Sequence, residues 1–447
     1  MSLNSILVLG LLVAIWVAGG ASRADELGQA IVRTAAWIAI VVTALFGARP
    51  SLSKVSPALW IILAALVLVL VQLIPLPPAI WQVMPGRLGL ANATKAIGMA
   101  EVWRPIAIVP GAAVNAAASL VVPFAILLLV AGLDEREIAW LPAIVLGMAA
   151  ATALLGLLQF SGAGFNNPFV NDSPGQVSGN FANRNHFALL LAVGCLVAPV
   201  WAFQVRQRLS WRVPVAVGLV VLFVLLILAS GSRAGLLIGV LAIVMALLLV
   251  RNAIQRERRH LPRWVFPVIV MGSVLTIGLF VLLSIGADRA ISVDRLFQME
   301  AGEDLRTRNM PTVLRMIGTY FPVGSGFGGF DPVFRIHEPL AMLKLTYFNH
   351  AHNDFLEVAL DGGFGALVLL VAVLIWWVVA SIRAWRGGAD VAKLGSAMLA
   401  LVFVAAAFDY AARTPIMMTI IVIAAIWLGT PRTRIARTPL PAAAGQL

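Results

Sequence analysis

Charged side chains are scarce in this chain: Asp, Glu, Lys and Arg make up only 12% of its 447 residues, about half the share of an ordinary soluble domain. Cysteine is nearly absent as well. The one thiol, Cys195, lies in an apolar run, which excludes an internal disulfide, a Cys-based zinc site and an iron–sulfur cluster. Acidic residues are outnumbered, 20 against 32 Lys and Arg. In place of charge the chain has 61% hydrophobic residues and a mean hydropathy of +0.96. A second soluble domain does not fit, and the composition is that of an all-α integral membrane protein, a single polytopic domain over 1–447.

Apolar runs of spanning length occupy residues 4–20, 28–47, 57–75, 112–132, 138–161, 186–203, 213–230, 232–250, 265–286, 361–382, 391–408 and 415–429. They predict about twelve transmembrane helices. The first run differs from a secretory signal in having no Lys or Arg ahead of it before Arg23, and it reads as helix 1. Basic residues cluster in alternate connections: Arg206, Arg208 and Arg212; Arg251, Arg256, Arg258, Arg259 and Arg263; Arg383, Arg386 and Lys393; and Arg432, Arg434 and Arg437 in the tail. Cytoplasmic loops carry excess Lys and Arg. Both termini, including the tail 431–447, are therefore expected in the cytoplasm. The net charge of +12 is then a topology signal, and no nucleic-acid partner is expected.

The same count puts loops 76–111 and 162–185 and the long segment 287–360 on the opposite face. The last lies between helices 9 and 10 and is the one stretch able to form a small periplasmic subdomain. Its Phe321, Phe327, Phe330, Phe334, Tyr347 and Phe348 argue for order.

Four polar clusters lie on this outer face. Asn183-Arg184-Asn185-His186-Phe187 opens helix 6 and has a plain reading as a turn and helix cap. Ser230-Gly231-Ser232-Arg233-Ala234-Gly235 is a tight hairpin that sets Arg233 at a helix N-terminus. A cation is poorly placed there unless an anion compensates or the side chain snorkels to lipid phosphate. Asp304-Leu305-Arg306-Thr307-Arg308 reads alone as a solvated charge run. Asn349-His350-Ala351-His352-Asn353-Asp354 precedes helix 10. His350 and His352 lack a third nitrogen or thiolate and make a weak metal signal. Two residues apart, their rings are expected on opposite sides of an extended segment.

In their order, Asn183-Arg184-Asn185-His186-Phe187, Ser230-Gly231-Ser232-Arg233-Ala234-Gly235 and His350-Ala351-His352-Asn353-Asp354-Phe355-Leu356-Glu357 make the chain resemble the O-antigen ligase and Wzy-type polymerase superfamily of bacterial envelopes. The likeness runs over roughly residues 100–410. It implies a GT-C-like fold in the bacterial inner membrane and a periplasmic site without metal or other cofactor. It also implies transfer of a glycan from an undecaprenyl-diphosphate carrier to an acceptor hydroxyl, on lipid A-core for a ligase or on a growing polysaccharide (such as exopolysaccharide) for a polymerase. By the family pattern Arg233 and Arg306 match diphosphate-binding arginines and His352 the base. Arg184, Arg308, His350, Asn353 and His186 are candidate substrate contacts, and the choice between Arg306 and Arg308 stays open. Asn353 is expected to orient the His352 ring.

Chemistry supports these choices. Arginine binds phosphate oxygens bidentately and stays charged, and imidazole accepts a proton near neutrality. The chain has no Asp-x-Asp pair, the arrangement by which many nucleotide-sugar transferases hold a metal. The competing class is a transporter of an anion or lipid-linked sugar, whose site is expected near the midplane within inverted repeats. Here the polar clusters gather at one face.

Overall fold

The computed structural model describes residues 2–47, 50–163, 167–171, 175–203, 211–258, 262, 264–286, 301–343, 348–387 and 389–430. Arg206, Arg208, Arg259, Arg263, Tyr347 and the tail with Arg432, Arg434 and Arg437 lie outside them.

Each of the apolar runs coincides with helix. The order is α1 Leu3–Ala18, α2 Leu27–Phe46, α3 Ser56–Gln72, the short α4 Pro78–Trp81 and α5 Leu88–Ala96, α6 Pro110–Ser119, α7 Val121–Ala131, α8 Glu135–Ile138, α9 Leu141–Phe160, α10 Arg184–Phe203, α11 Arg212–Ala229, α12 Arg233–Arg258, α13 Val265–Gly286, α14 Ala301–Tyr320, α15 Phe330–His337, α16 Asp354–Trp385, α17 Asp390–Ala406 and α18 Pro415–Gly429. Two-residue strands, β1 Pro75–Leu76 and β2 Arg104–Pro105, pair antiparallel and close the segment 76–104. Among the described residues seven helical spans are long and apolar enough to cross a membrane, and α1, α3 and α18 are shorter apolar helices. The chain is a multi-pass, all-α membrane protein.

α10 forms the centre. Every residue from His186 to Ala198 is buried, and α9, α11, α12 and α17 pack around it. A helix apolar all round suits only such a position. Between helices in lipid, association depends on close packing of small residues. Gly194 admits the Phe223 ring of α11, which an added Cβ would meet at 2.6 Å, and Gly235 of α12 lies against Ala188.

Two spans are broken, each for a local reason. The run expected over 112–132 divides into α6 and α7 at Ser119–Val121. Pro123 offers no N–H to the Ser119 carbonyl and its ring crowds that carbonyl. The helix expected over 361–382 starts earlier, at Asp354, and is interrupted at Gly363, whose φ is +56°. A side chain there would meet the Pro322 carbonyl at 2.2 Å. The backbone groups freed at the break are satisfied by the segment after α14: Phe364 N donates to Pro322 O, Ser325 N to Leu360 O and Gly326 N to Asp361 O, at 2.8–2.9 Å. Irregular backbone within a membrane protein requires such cover.

The segment expected as a loop over 287–360 is largely helical where it is described. α14 and α15 pack through Val313, Met316, Tyr320, Phe330, Val333 and Phe334, and Phe348 joins the Phe330 and Phe334 rings. Arg87, buried, ties segment 76–111 to it by donating to Gly324 O at 2.9 Å and to Ile106 O.

Candidate functional site

The site gathers around a residue of the turn between α17 and α18. Asp409 is buried, and four parts of the chain converge on its carboxylate. Oδ2 accepts from Asn183 Nδ2 at 2.9 Å and from Asn185 Nδ2 at 2.5 Å, with Arg306 Nη2 at 3.8 Å. Oδ1 accepts from the Tyr410 amide at 2.9 Å and faces His352 Nδ1 at 3.1 Å. Burial pushes the carboxyl up, but the hydrogen bond from His352, the neighbouring His186 and His352 rings and the charge of Arg306 outweigh it and hold Asp409 well below the usual carboxylate range. Asp409 is therefore an anion that only accepts. Nδ1 of His352 must carry the proton, and among the described residues the Nε2 lone pair faces no partner.

The asparagines reach Asp409 because they also build helix ends. Asn183 Oδ1 accepts from the Asn185 amide at the start of α10. Ser232 Oγ accepts from Gly235 N at the start of α12 and donates to Asn185 Oδ1 at 2.7 Å. The reading of the first motif as a turn and helix cap holds, Ser232 caps α12 as well, and these caps carry the α10 and α12 N-termini toward one carboxylate.

The histidines do not alternate. His352 has φ +50°, a left-handed conformation uncommon outside glycine, and the turn it makes overturns the expected opposite sides. His350 lies against the Tyr410 ring at 4.1 Å between centroids, His352 at 5.1 Å and His186 at 5.1 Å. Burial, followed by the charge of Asp409, pushes the Tyr410 phenol up to about 12, so it stays protonated among the three imidazoles. Asn353 does not orient the His352 ring. Its Oδ1 caps α16 through Leu356 N and its Nδ2 donates to Ala407 O, leaving the orienting role to Asp409. His186 is buried, and among the described residues neither ring nitrogen has a hydrogen-bond partner.

Behind His350 is a second ionic group. Glu357, fully buried, accepts from His350 Nδ1 at 2.9 Å, from Ala351 N at 2.8 Å and from Arg413 Nη1 at 3.0 Å. Arg413 Nε also binds Asp354 at 3.0 Å. Although burial alone would lower it, the fields of Glu357, Asp354 and Asp361 push the Arg413 pKa further up, so it is a permanent cation. Arg413→Ala leaves two buried carboxylates without a counterion and should destabilise the protein by about 3 kcal/mol or more. Thermal unfolding of the purified variant in detergent checks this, and an unchanged transition would contradict it.

The remaining candidates fall as follows. Arg306 is partly buried and its Nη1 lies 3.4 Å from Phe408 O, whereas Arg308, two residues on along α14, is exposed. Arg233 is half-buried and follows Ser232 directly; Arg184 stands between Asn183 and Asn185. Among the described residues no three His, Cys, Asp or Glu side chains form a metal-ligand set. Reading the sequence missed Asp409, Tyr410 and Arg413. The signal available was the count of spans, which puts 409–414 on the same face as the other polar clusters.

No curated protein matches the chain. Residues 218–371, from α11 into α16, match the family model described as O-Antigen ligase (Wzy_C), and they contain Arg233, Arg306, His350, His352 and Glu357. His352 and Arg306, which meet around Asp409, thus lie within the matched stretch, and over residues 218–371 the chain is similar to the O-antigen ligase family.

Proposed function

We propose that the protein is a metal-independent membrane glycosyltransferase. It moves a glycan from an undecaprenyl-diphosphate carrier to an acceptor hydroxyl on the periplasmic side of the inner membrane. About twelve spans in a GT-C-like arrangement, with both termini in the cytoplasm, accompany this reading. Its main support is the His352–Asp409 pair, an imidazole with its proton fixed on Nδ1 and its Nε2 lone pair unused, beside Arg306.

The chemistry follows from those atoms. The acceptor oxygen forms a bond to the anomeric carbon while the bond from that carbon to the diphosphate oxygen breaks. The acceptor proton passes to His352 Nε2, and the leaving oxygen takes the bonding electron pair. Arg306 and Arg233 meet the negative charge that grows on the diphosphate. Arg184, Arg308, His350, Asn353 and His186 are the further substrate contacts this reading proposes. Asp409 stabilises the imidazolium that forms. Lipid A-core and the end of a growing polysaccharide both present a hydroxyl, so ligase and polymerase share every step.

The test uses the full chain in proteoliposomes with a polyprenyl-diphosphate glycan and either acceptor. Transfer to one acceptor, persisting in excess EDTA, is expected. Movement of the carrier across the bilayer without formation of a glycosidic product would overturn the reading in favour of transport, and loss on chelation with rescue by magnesium would remove the metal-independent part.

A further inference from the structure

α2 carries an arginine inside its apolar span. Arg33 stands six residues past Leu27, about 9 Å along the axis, and is the one charged residue of Leu27–Phe46. Its guanidinium bridges two helices through neutral amides. Nη1 donates to Asn115 Oδ1 of α6 at 2.7 Å, and Nη2 to Gln29 Oε1 one turn back at 3.3 Å. Among the described residues no carboxylate is paired with it, and Nε is without a partner. A guanidinium has five N–H groups and two are engaged, which leaves the buried Nε–H and one N–H on each Nη. A cation within a span normally faces an anion or a water-filled cavity, and among the described residues no anion is supplied.

What lies beside Arg33 indicates what does. Trp37, Val41 and Leu45 follow at four-residue intervals and are 58%, 50% and 68% exposed, so they continue one ridge of the helix. A molecule with a phosphate at Arg33 and hydrocarbon along this ridge matches charge with charge and apolar surface with apolar surface. A free phosphate ion meets only the first condition.

The place is on the same side of the protein as the histidines. Gly28, just above Arg33 on α2, lies against the Phe169 carbonyl, which an added Cβ would meet at 2.4 Å, in the connection that leads to Asn183. One turn before Asn115, the Ala112 carbonyl faces Gly328, whose amide donates to Asp361.

We infer that Arg33, with Gln29 and Asn115, is a binding site for the phosphate of a membrane lipid whose chains lie along α2, in the leaflet on the histidine side. The site is separate from the groups assigned to transfer.

The full chain, purified in detergent and incubated with phosphatidylglycerol, tests this by native mass spectrometry of the retained lipid. Arg33→Gln should lower retention by roughly fivefold, the effect of one arginine's attraction to an anionic lipid. Asn115→Asp sets a carboxylate against Nη1, so it should lower retention similarly while keeping α2 and α6 joined. Loss of lipid is thereby separated from loss of fold. Inorganic phosphate, compared with chloride at matched ionic strength, should not displace the lipid. Unchanged retention in both variants overturns the inference. So does displacement by inorganic phosphate, which marks a free-anion site.

Discussion

His352→Ala is expected to abolish glycan transfer, a loss of about 100- to 10,000-fold for removal of a positioned general base, with folding and donor binding retained. His350→Ala is expected to keep a measurable fraction, because its Nδ1 is held by Glu357 in a group apart from Asp409. Asp409→Asn is expected to fall between them. The amide oxygen can still accept from His352 Nδ1, but the charge that stabilises the imidazolium is gone. Initial rates for the three variants at equal expression decide the matter. A His352 variant as active as wild type, or a reversal of the two histidines, would remove His352 from the role of base.

The sign of the pH dependence follows from Asp409. Its folded-state pKa lies below the ordinary value of about 4, so its ionised form contributes fully above that value. The contribution is lost only as pH falls through the lower, folded value. Asp409 therefore stays an anion at and well below neutral pH, and loss of activity on mild acidification is not expected to come from it.

Arg306→Ala and Arg233→Ala are each expected to lower turnover by about 100-fold or more, the usual loss when one preorganised donor to developing negative charge is removed. Lysine is expected to restore little at either position, since a compact ammonium does not reproduce a planar fork. Arg306→Ala carries a second signature. It removes a cation 3.8 Å from Asp409, so its effect and that of Asp409→Asn should not add. Single-turnover rates for the two single variants and the double variant read this directly. Full rescue by lysine at both arginines would point to lipid anchoring instead.

The helices were legible because a bilayer leaves little choice: backbone groups must pair within long apolar runs, and every such run is helical. The polar clusters were legible because charge is costly there. What eluded the sequence was pairing over distance. Asn183 and Asp409 stand 226 positions apart, and a brief polar stretch between two apolar runs looks like any connection. Arg306 and Arg308 could not be separated until α14 was seen to be a helix, since residues two apart then point in widely different directions. The two histidines misled for the opposite reason, because regular alternation was assumed where the backbone at His352 turns left-handed.

Asp409 has a consequence for the order in which the chain is made. Asn183, Asn185, Arg306 and His352 are all synthesised before it, and so is the whole family-matched stretch. Until the α17–α18 hairpin enters the membrane, those side chains lack the carboxylate they gather around, and the imidazole lacks the anion that fixes its proton. The nascent protein thus carries Arg306, His352 and the two asparagines as separate parts. They are joined in one step, with the turn between α17 and α18.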